Sequence, residues 1–152
     1  DLMALYEALL NDPLAWQMPA TNMRPPLEYV STALRALAVP PDRIQALKPK
    51  ETRNWFLGPL NVMGQDWQSP SGPDGWPEAD GAWVTPQGVA ARLEWAMTVP
   101  SRLLGDLPEP EAFLRSTLGP DAPEPLKFAT AAAETRAVGI GLVLVSPALQ
   151  RR

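Results

Sequence analysis

The segment PPLEYVSTALRAL at residues 25–37, followed by Pro40-Pro41, decides the fold class. Its large apolar residues recur at intervals of three and four positions: Leu27, Val30, Leu34 and Leu37. This spacing is the period of one helix face. Prolines are tolerated at the start of a helix, where the first N–H groups have no intrahelical partner, but they cannot continue one. The segment therefore predicts an amphipathic α-helix that stops before residue 40.

The same helical period appears on both sides of this segment. Residues 1–10 repeat it until Asn11-Asp12-Pro13 interrupts the pattern. Thr85-Pro86 combines a capping residue with a proline at the first helical position, and predicts a helix that ends at Pro100. Residues 108–118 and 126–145 predict two more helices. The β-branched end of the last one is assigned to the helix, because no other segment offers a partner strand.

The remaining patterned stretches are shorter. Residues 42–63 are apolar but contain Pro49 and Pro59, so they predict one or two helices. Ser146-Pro147 predicts a final short turn. Together these segments predict an all-α protein, an irregular bundle of about five to seven helices. The length of 152 residues suits a single domain over residues 1–152.

Residues 64–86 interrupt the helical pattern with a long loop rich in tryptophan, proline and glycine. A turn signal, Pro73-Asp74-Gly75, lies in its middle. Loops of this length are unusual inside a compact domain. Such a loop is either functional or packed on itself by its own side chains.

The composition excludes several classes of function. The chain has no His and no Cys, so the usual catalytic triads, thiolate nucleophiles, disulfides and ordinary zinc or haem sites are ruled out. We predict no catalytic residue, no cofactor and no metal site. The 13 basic and 17 acidic residues give a net charge of −4, which argues against a nucleic-acid partner. No apolar run approaches the roughly 20 residues of a membrane span.

The loop contains the main candidate for a binding site. Trp67, Trp76 and Trp83 fall within a short stretch that also holds Gln65 and nearby carboxylates. Indole rings with polar neighbours are typical of surfaces that bind sugars or proline-rich segments. The alternative is that the rings anchor the loop to the core, because an ordered loop must bury something large to offset its lost entropy.

Arg92 is the fifth candidate residue, on the helix that follows the loop. It lies near the start of that helix, so we expect it to reach back to the loop. There it would hydrogen-bond loop carbonyls, clamp a carboxylate or stack on a loop tryptophan. The ligand-binding candidates are Gln65, Trp67, Trp76, Trp83 and Arg92. A purely structural role, tying loop to helix, is the alternative for Arg92.

Five stretches, taken together, resemble the domain-of-unknown-function 1800 family (DUF1800), in the C-terminal part of a longer bacterial protein. They are residues 5–16, residues 24–37, residues 63–77 with Gly75-Trp76-Pro77, residues 83–96 with Ala91-Arg92-Leu93-Glu94-Trp95-Ala96, and the ending Leu144-Val145-Ser146-Pro147-Ala148-Leu149-Gln150-Arg151-Arg152. The ending departs from the family pattern, since Ala148-Leu149 stand where Glu-Phe is usual. A lysine usual ahead of the second helix is absent near Asn22, where Arg24 is the nearest basic residue.

The resemblance implies a larger, mostly helical and often exported parent protein, and it implies no reaction. We therefore expect a non-catalytic helical domain that acts in interaction or ligand binding. Its expected partners are the missing N-terminal region of the parent and a protein or glycan ligand. One alternative is that the chain completes the active site of a hydrolase-like enzyme. Another is a purely structural cap, which an exposed apolar patch on the first helix would favour.

Overall fold

The computed structural model describes residues 1–17 and 22–152, and this part of the chain is all-α. The prediction of an all-α fold is confirmed, since these residues form no β-strand. The helices are α1 (Leu2–Asn11), α2 (Leu14–Gln17), α3 (Pro26–Ala36), α4 (Pro41–Gln45), α5 (Pro49–Thr52), α6 (Gly58–Val62), α7 (Pro86–Leu104), α8 (Pro110–Leu118), α9 (Glu124–Ala131), α10 (Arg136–Val145) and α11 (Pro147–Gln150). A π-helical turn, Arg53–Leu57, joins α5 to α6, and a 3₁₀ turn covers Asp80–Ala82.

The helices are more numerous than the five to seven predicted, because proline divides the chain into short pieces. Among the helices described, α3 to α9 and α11 each begin with a proline in the first two positions. Proline is well placed there and cannot extend the preceding helix. The predicted helix at 126–145 is likewise two helices, α9 and α10.

The prediction that Pro100 ends α7 is wrong, because α7 continues to Leu104. A proline inside a helix removes one backbone hydrogen bond and crowds the preceding turn. Pro100 is almost fully buried and is flanked by the buried Val99 and Leu103, so packing of this face compensates for the lost bond. The helix ends instead at Gly105, whose φ of 72° suits glycine.

The core forms around α7 and α10. Tyr29 of α3 packs edge-on against Trp95 of α7, with ring centroids 5.8 Å apart and an angle of 67° between the planes. The Trp95 indole N–H donates to the Trp55 carbonyl at 2.8 Å and so ties the π-helical turn to α7. From α10, Ile140, Val143 and Leu144 are completely buried. Burial of these apolar side chains is the main source of stability for the bundle.

Two glycines allow α10 to approach its neighbours closely. A Cβ on Gly139 would lie 2.6 Å from Cβ and 2.7 Å from Cγ of Pro110 at the start of α8. A Cβ on Gly141 would overlap the thioether of Met97 in α7. The first obstacle is a rigid ring beside the backbone, whereas the second is the end of a flexible side chain.

We expect Gly139→Ala to destabilise the protein more than Gly141→Ala. Overpacking costs about 1–3 kcal/mol, while alanine in place of glycine within a helix gains about 0.5–1 kcal/mol. The net loss for Gly139→Ala is then about 1–2 kcal/mol, and Met97 can move aside to reduce the cost of Gly141→Ala. Urea denaturation of both variants checks this order. Equal stability of the two variants would contradict close packing of α10 on Pro110.

Candidate functional site

Gln65 follows the Met63-Gly64 end of α6 and links the start of the loop to α3. Its side-chain oxygen accepts a hydrogen bond of 2.7 Å from the backbone N–H of Leu27, in the first turn of α3. Pro25, at the cap position of α3, makes no side-chain cap. The Gln65 side chain, only 8% exposed, supplies the hydrogen-bond acceptor that the start of α3 needs. It takes the place of a cap from Pro25, although it is far from α3 in the sequence.

Trp83 anchors the far end of the loop. It is 1% exposed, and its indole N–H donates to the Pro77 carbonyl at 3.1 Å. Its ring lies 6.4 Å from that of Trp76, tilted by 56°. Trp83 thus holds the loop on the bundle, as expected for a tryptophan that serves as a packing anchor.

Trp67 and Trp76 line an open groove at the protein surface. Two adjoining depressions, of about 460 Å³ and 200 Å³, share Leu27, Gln65 and Trp76 in their walls. Trp67 is 49% exposed, and Trp76 is half-buried. We call this surface the Trp67–Trp76 groove. Its polar and charged lining residues are Glu28, Ser31, Gln65, Asp66, Gln68, Glu78 and Arg152.

Arg92 lies away from the groove, in the interior. It is completely buried, and its guanidinium donates to the Gln150 side-chain oxygen at 3.0 Å and to the Arg24 carbonyl at 2.8 Å. The same group lies over the Tyr29 ring, 4.9 Å from its centroid. The hydrogen bonds of Arg92 thus run to the segment before α3 and to α11, rather than to the loop as expected from the sequence.

Burial changes the acid–base behaviour of this pair. It lowers the pKa of Arg92 and raises the pKa of Tyr29, because the charged form of each group is poorly solvated inside the protein. The positive charge of Arg92 opposes part of the rise in the pKa of Tyr29. The Arg92 Nε atom is buried without a hydrogen-bond partner, which adds to the cost of enclosing the cation. Neither group is placed to meet a ligand from solvent.

A second surface is formed by α1 and α2. Eight large apolar side chains in residues 1–16 are 49–70% exposed: Leu2, Met3, Leu5, Tyr6, Leu9, Leu10, Leu14 and Trp16. Two local hydrogen bonds hold this segment together. The Asp1 carboxylate accepts from the backbone N–H of Met3, and the Trp16 indole N–H donates to the Leu10 carbonyl at 2.8 Å. We call residues 1–16 the α1–α2 segment.

The carboxylates of the loop, residues 64–86, belong to Asp66, Asp74, Glu78 and Asp80. Asp80 accepts a 2.7 Å hydrogen bond from the backbone N–H of Met23 and so has a structural role. No group of three or more acidic side chains in residues 1–17 and 22–152 could hold a metal ion. Within the same ranges, no helix combines the length and apolar character that crossing a bilayer requires.

Comparison with known proteins identifies the family. The family model described as "Protein of unknown function (DUF1800)" matches residues 1–151. The chain belongs to the DUF1800 family. No match was found among curated proteins or among solved structures. The resemblance drawn from the sequence motifs is therefore confirmed, and the family description adds no reaction, ligand or partner.

Family membership by itself does not tell which candidate residues of this DUF1800 domain are packed in the bundle and which are exposed at the groove. The structure places Gln65 beside Trp67 and Trp76 at the groove, and Trp83 beneath Trp76. Sequence reasoning missed Glu28 and Arg152, which form an ion pair of 2.8 Å on one wall of the groove. These two residues lie 124 positions apart, and no local pattern could have paired them.

Tyr29 gives this DUF1800 domain a predictable weakness at alkaline pH. The raised pKa of Tyr29 means that, above pH 10, the unfolded chain loses this proton while the folded protein keeps it. The free energy of unfolding therefore falls as pH rises, by up to about 1.4 kcal/mol per pH unit for one proton. We expect Tyr29→Phe to show a shallower loss of stability between pH 10 and 11 in urea denaturation. Identical slopes for wild type and variant would show that burial does not perturb Tyr29.

Proposed function

We propose that this DUF1800 domain is a non-catalytic interaction domain that docks its α1–α2 segment into an apolar groove of another polypeptide. The observation that supports this most directly is the exposure of eight large apolar side chains within sixteen residues. Scattered apolar residues are normal on a protein surface. A contiguous set of this size is typical of an interaction site.

The energetics favour a covered α1–α2 segment. Burying a side chain such as Leu or Met is worth roughly 1.5–3 kcal/mol, and none of the residues of α1 is buried. A helix of ten residues is marginal in water by itself and is usually stabilised by packing of its apolar face. A partner that covers this face would supply that stability.

The geometry of α1 fits the docking of one helix into a groove. At 100° per residue, its six large apolar side chains cover about 160° of the helix circumference. Ala4, Glu7 and Ala8 occupy the opposite side. Amphipathic helices with such an arc insert one face into a hydrophobic cleft of their target.

Charge selects the kind of partner. The α1–α2 segment carries Asp1, Glu7 and Asp12 but no Lys or Arg. Amphipathic helices that lie on membranes are rich in Lys and Arg, so a bilayer is a poor fit. A second copy of the segment would bring like charges together. An apolar groove with a basic rim is complementary in both respects, and we place it in the remainder of a longer parent protein.

This interpretation combines two of the functions considered from the sequence, interaction and structural capping, because both need the same covered face. The enzyme alternative gains no support, since Arg92 is enclosed by protein. The docking contact itself is what an experiment must establish.

Photo-crosslinking from α1 in the natural full-length protein tests the proposal. We expect a benzophenone amino acid in place of Leu9 to form an adduct with an apolar peptide that is flanked by Lys or Arg. This peptide lies outside the present chain and is identified by mass spectrometry. The yield should fall as salt screens the basic rim.

The matched control carries the same group at Ala4, about 140° around the helix from Leu9. It should give little adduct. Equal yields from the two positions, adducts with residues 1–17 of a second copy, or adducts with lipid alone would each overturn the proposal.

A further inference from the structure

We infer that the Trp67–Trp76 groove is a binding site for a neutral oligosaccharide, with the two indole rings as stacking platforms. This site is separate from the α1–α2 segment, and the inference does not depend on the proposed docking. It rests on four observations: the fixed position of Trp76, the exposure of Trp67, the polar groups between and beside the rings, and the charge of the walls.

Trp76 is held in place before any ligand arrives. Its ring packs against the buried Trp83, at a centroid distance of 6.4 Å. The hydrogen bond from Trp83 to the Pro77 carbonyl fixes the backbone next to Trp76. Gly75, with φ of 91°, provides the turn that precedes it. A platform that is already ordered loses little entropy when a ligand binds.

Trp67 supplies the second platform on the same groove. It is 49% exposed, and lines the smaller depression together with Trp76. The next residue, Gln68, has φ of 54°, a conformation that costs energy for a residue other than glycine. Gln68 nevertheless remains in the wall of the groove, beside Trp67.

The polar groups of the groove suit hydroxyl-rich ligands. Side-chain amides of Gln65 and Gln68 lie in the smaller depression, and Ser31 and Glu78 line the larger one. Amides and hydroxyls can donate hydrogen bonds to sugar hydroxyls or accept them, and carboxylates accept them, while an indole covers the C–H face of the ring. The larger depression, about 460 Å³, lies within the range of ordinary ligand pockets.

Charge in the groove selects a neutral ligand. Glu28, Asp66 and Glu78 all contribute carboxylates to its walls. The Arg152 guanidinium is paired with Glu28 at 2.8 Å. Glu28 also pairs with Arg24 at 2.8 Å, so this cluster of one carboxylate and two guanidiniums carries a net charge of +1, and Asp66 and Glu78 make the sum over all these groups −1. The carboxylates of Asp66 and Glu78 would repel uronic acids, sulfated sugars and phosphate-bearing polymers, but they would not repel a neutral chain.

Proline-rich peptides are the other ligands that aromatic grooves accept. The carboxylate and amide oxygens of the groove favour the sugar, because a polyproline helix offers carbonyl acceptors but no N–H donors to bond to these oxygens. A peptide therefore serves as a comparison ligand in the test.

Isothermal titration calorimetry tests the inference with neutral hexasaccharides of glucose, mannose, xylose and N-acetylglucosamine. Hexagalacturonate and a polyproline peptide are the comparison ligands. We expect at least one neutral hexasaccharide to bind, and both Trp67→Ala and Trp76→Ala to weaken it by about tenfold or more. Phe128→Ala is the matched control, since Phe128 is an aromatic side chain of α9 that is 77% exposed outside the groove, and this change should leave the Kd unchanged.

Trp76→Ala removes a contact with the core, so its fold is checked by thermal unfolding. Trp67→Ala and Gln68→Ala change exposed residues and keep the test decisive if Trp76→Ala fails to fold. The inference is overturned if no neutral hexasaccharide binds at millimolar concentration, or if hexagalacturonate or polyproline binds at least as tightly. Binding that persists in Trp67→Ala and Gln68→Ala would also overturn it. None of these results bears on the docking of α1, which uses other residues.

Discussion

The buried guanidinium of Arg92 is the interaction on which the arrangement of the bundle depends. It joins α7 to the segment before α3 through the Arg24 carbonyl, and to α11 through the Gln150 amide. Both acceptors are neutral, so the cation is stabilised by dipoles and by the Tyr29 ring rather than by a carboxylate. Hydrogen bonds to a charged group are worth about 1.5–3 kcal/mol each. Three segments distant in sequence therefore share one strong connection.

This connection also positions the wall of the Trp67–Trp76 groove. Beside Arg92, the chain at 22–24 pairs with the chain end: the N–H of Arg24 donates to the Gln150 carbonyl at 2.8 Å, and the N–H of Arg152 donates to the Asn22 carbonyl at 2.9 Å. The pairing brings Arg152 next to Glu28. The buried Arg92 is thus bonded to the two segments whose pairing brings Arg152 and Glu28 together at the groove, although Arg92 lies outside the groove itself.

The sequence predicts the local features of this protein better than its long-range contacts. Helix period and capping signals predicted α3 and the start of α7, where Thr85 accepts from the N–H of Gly88 at 3.0 Å, because these features depend on neighbouring residues. The partners of Arg92 could not be predicted, since they lie 58 and 68 positions away. Composition alone could not distinguish the buried Trp83 from the exposed Trp67. Their roles depend on which faces the bundle covers.

The first and third helices show why the same sequence pattern has two meanings. Both have large apolar residues at helical spacing, yet Tyr29 and Val30 of α3 are buried while every residue of α1 is exposed. Periodicity predicts that a face will be covered, but not by what. For α3 the cover includes α7, through the Tyr29–Trp95 ring contact, and α8, both within this chain. No residue of α1 is buried, and the docking proposed above would supply the equivalent cover. Because the α1–α2 segment and the Trp67–Trp76 groove have no residue in common, the proposed docking and the proposed sugar binding can be altered separately.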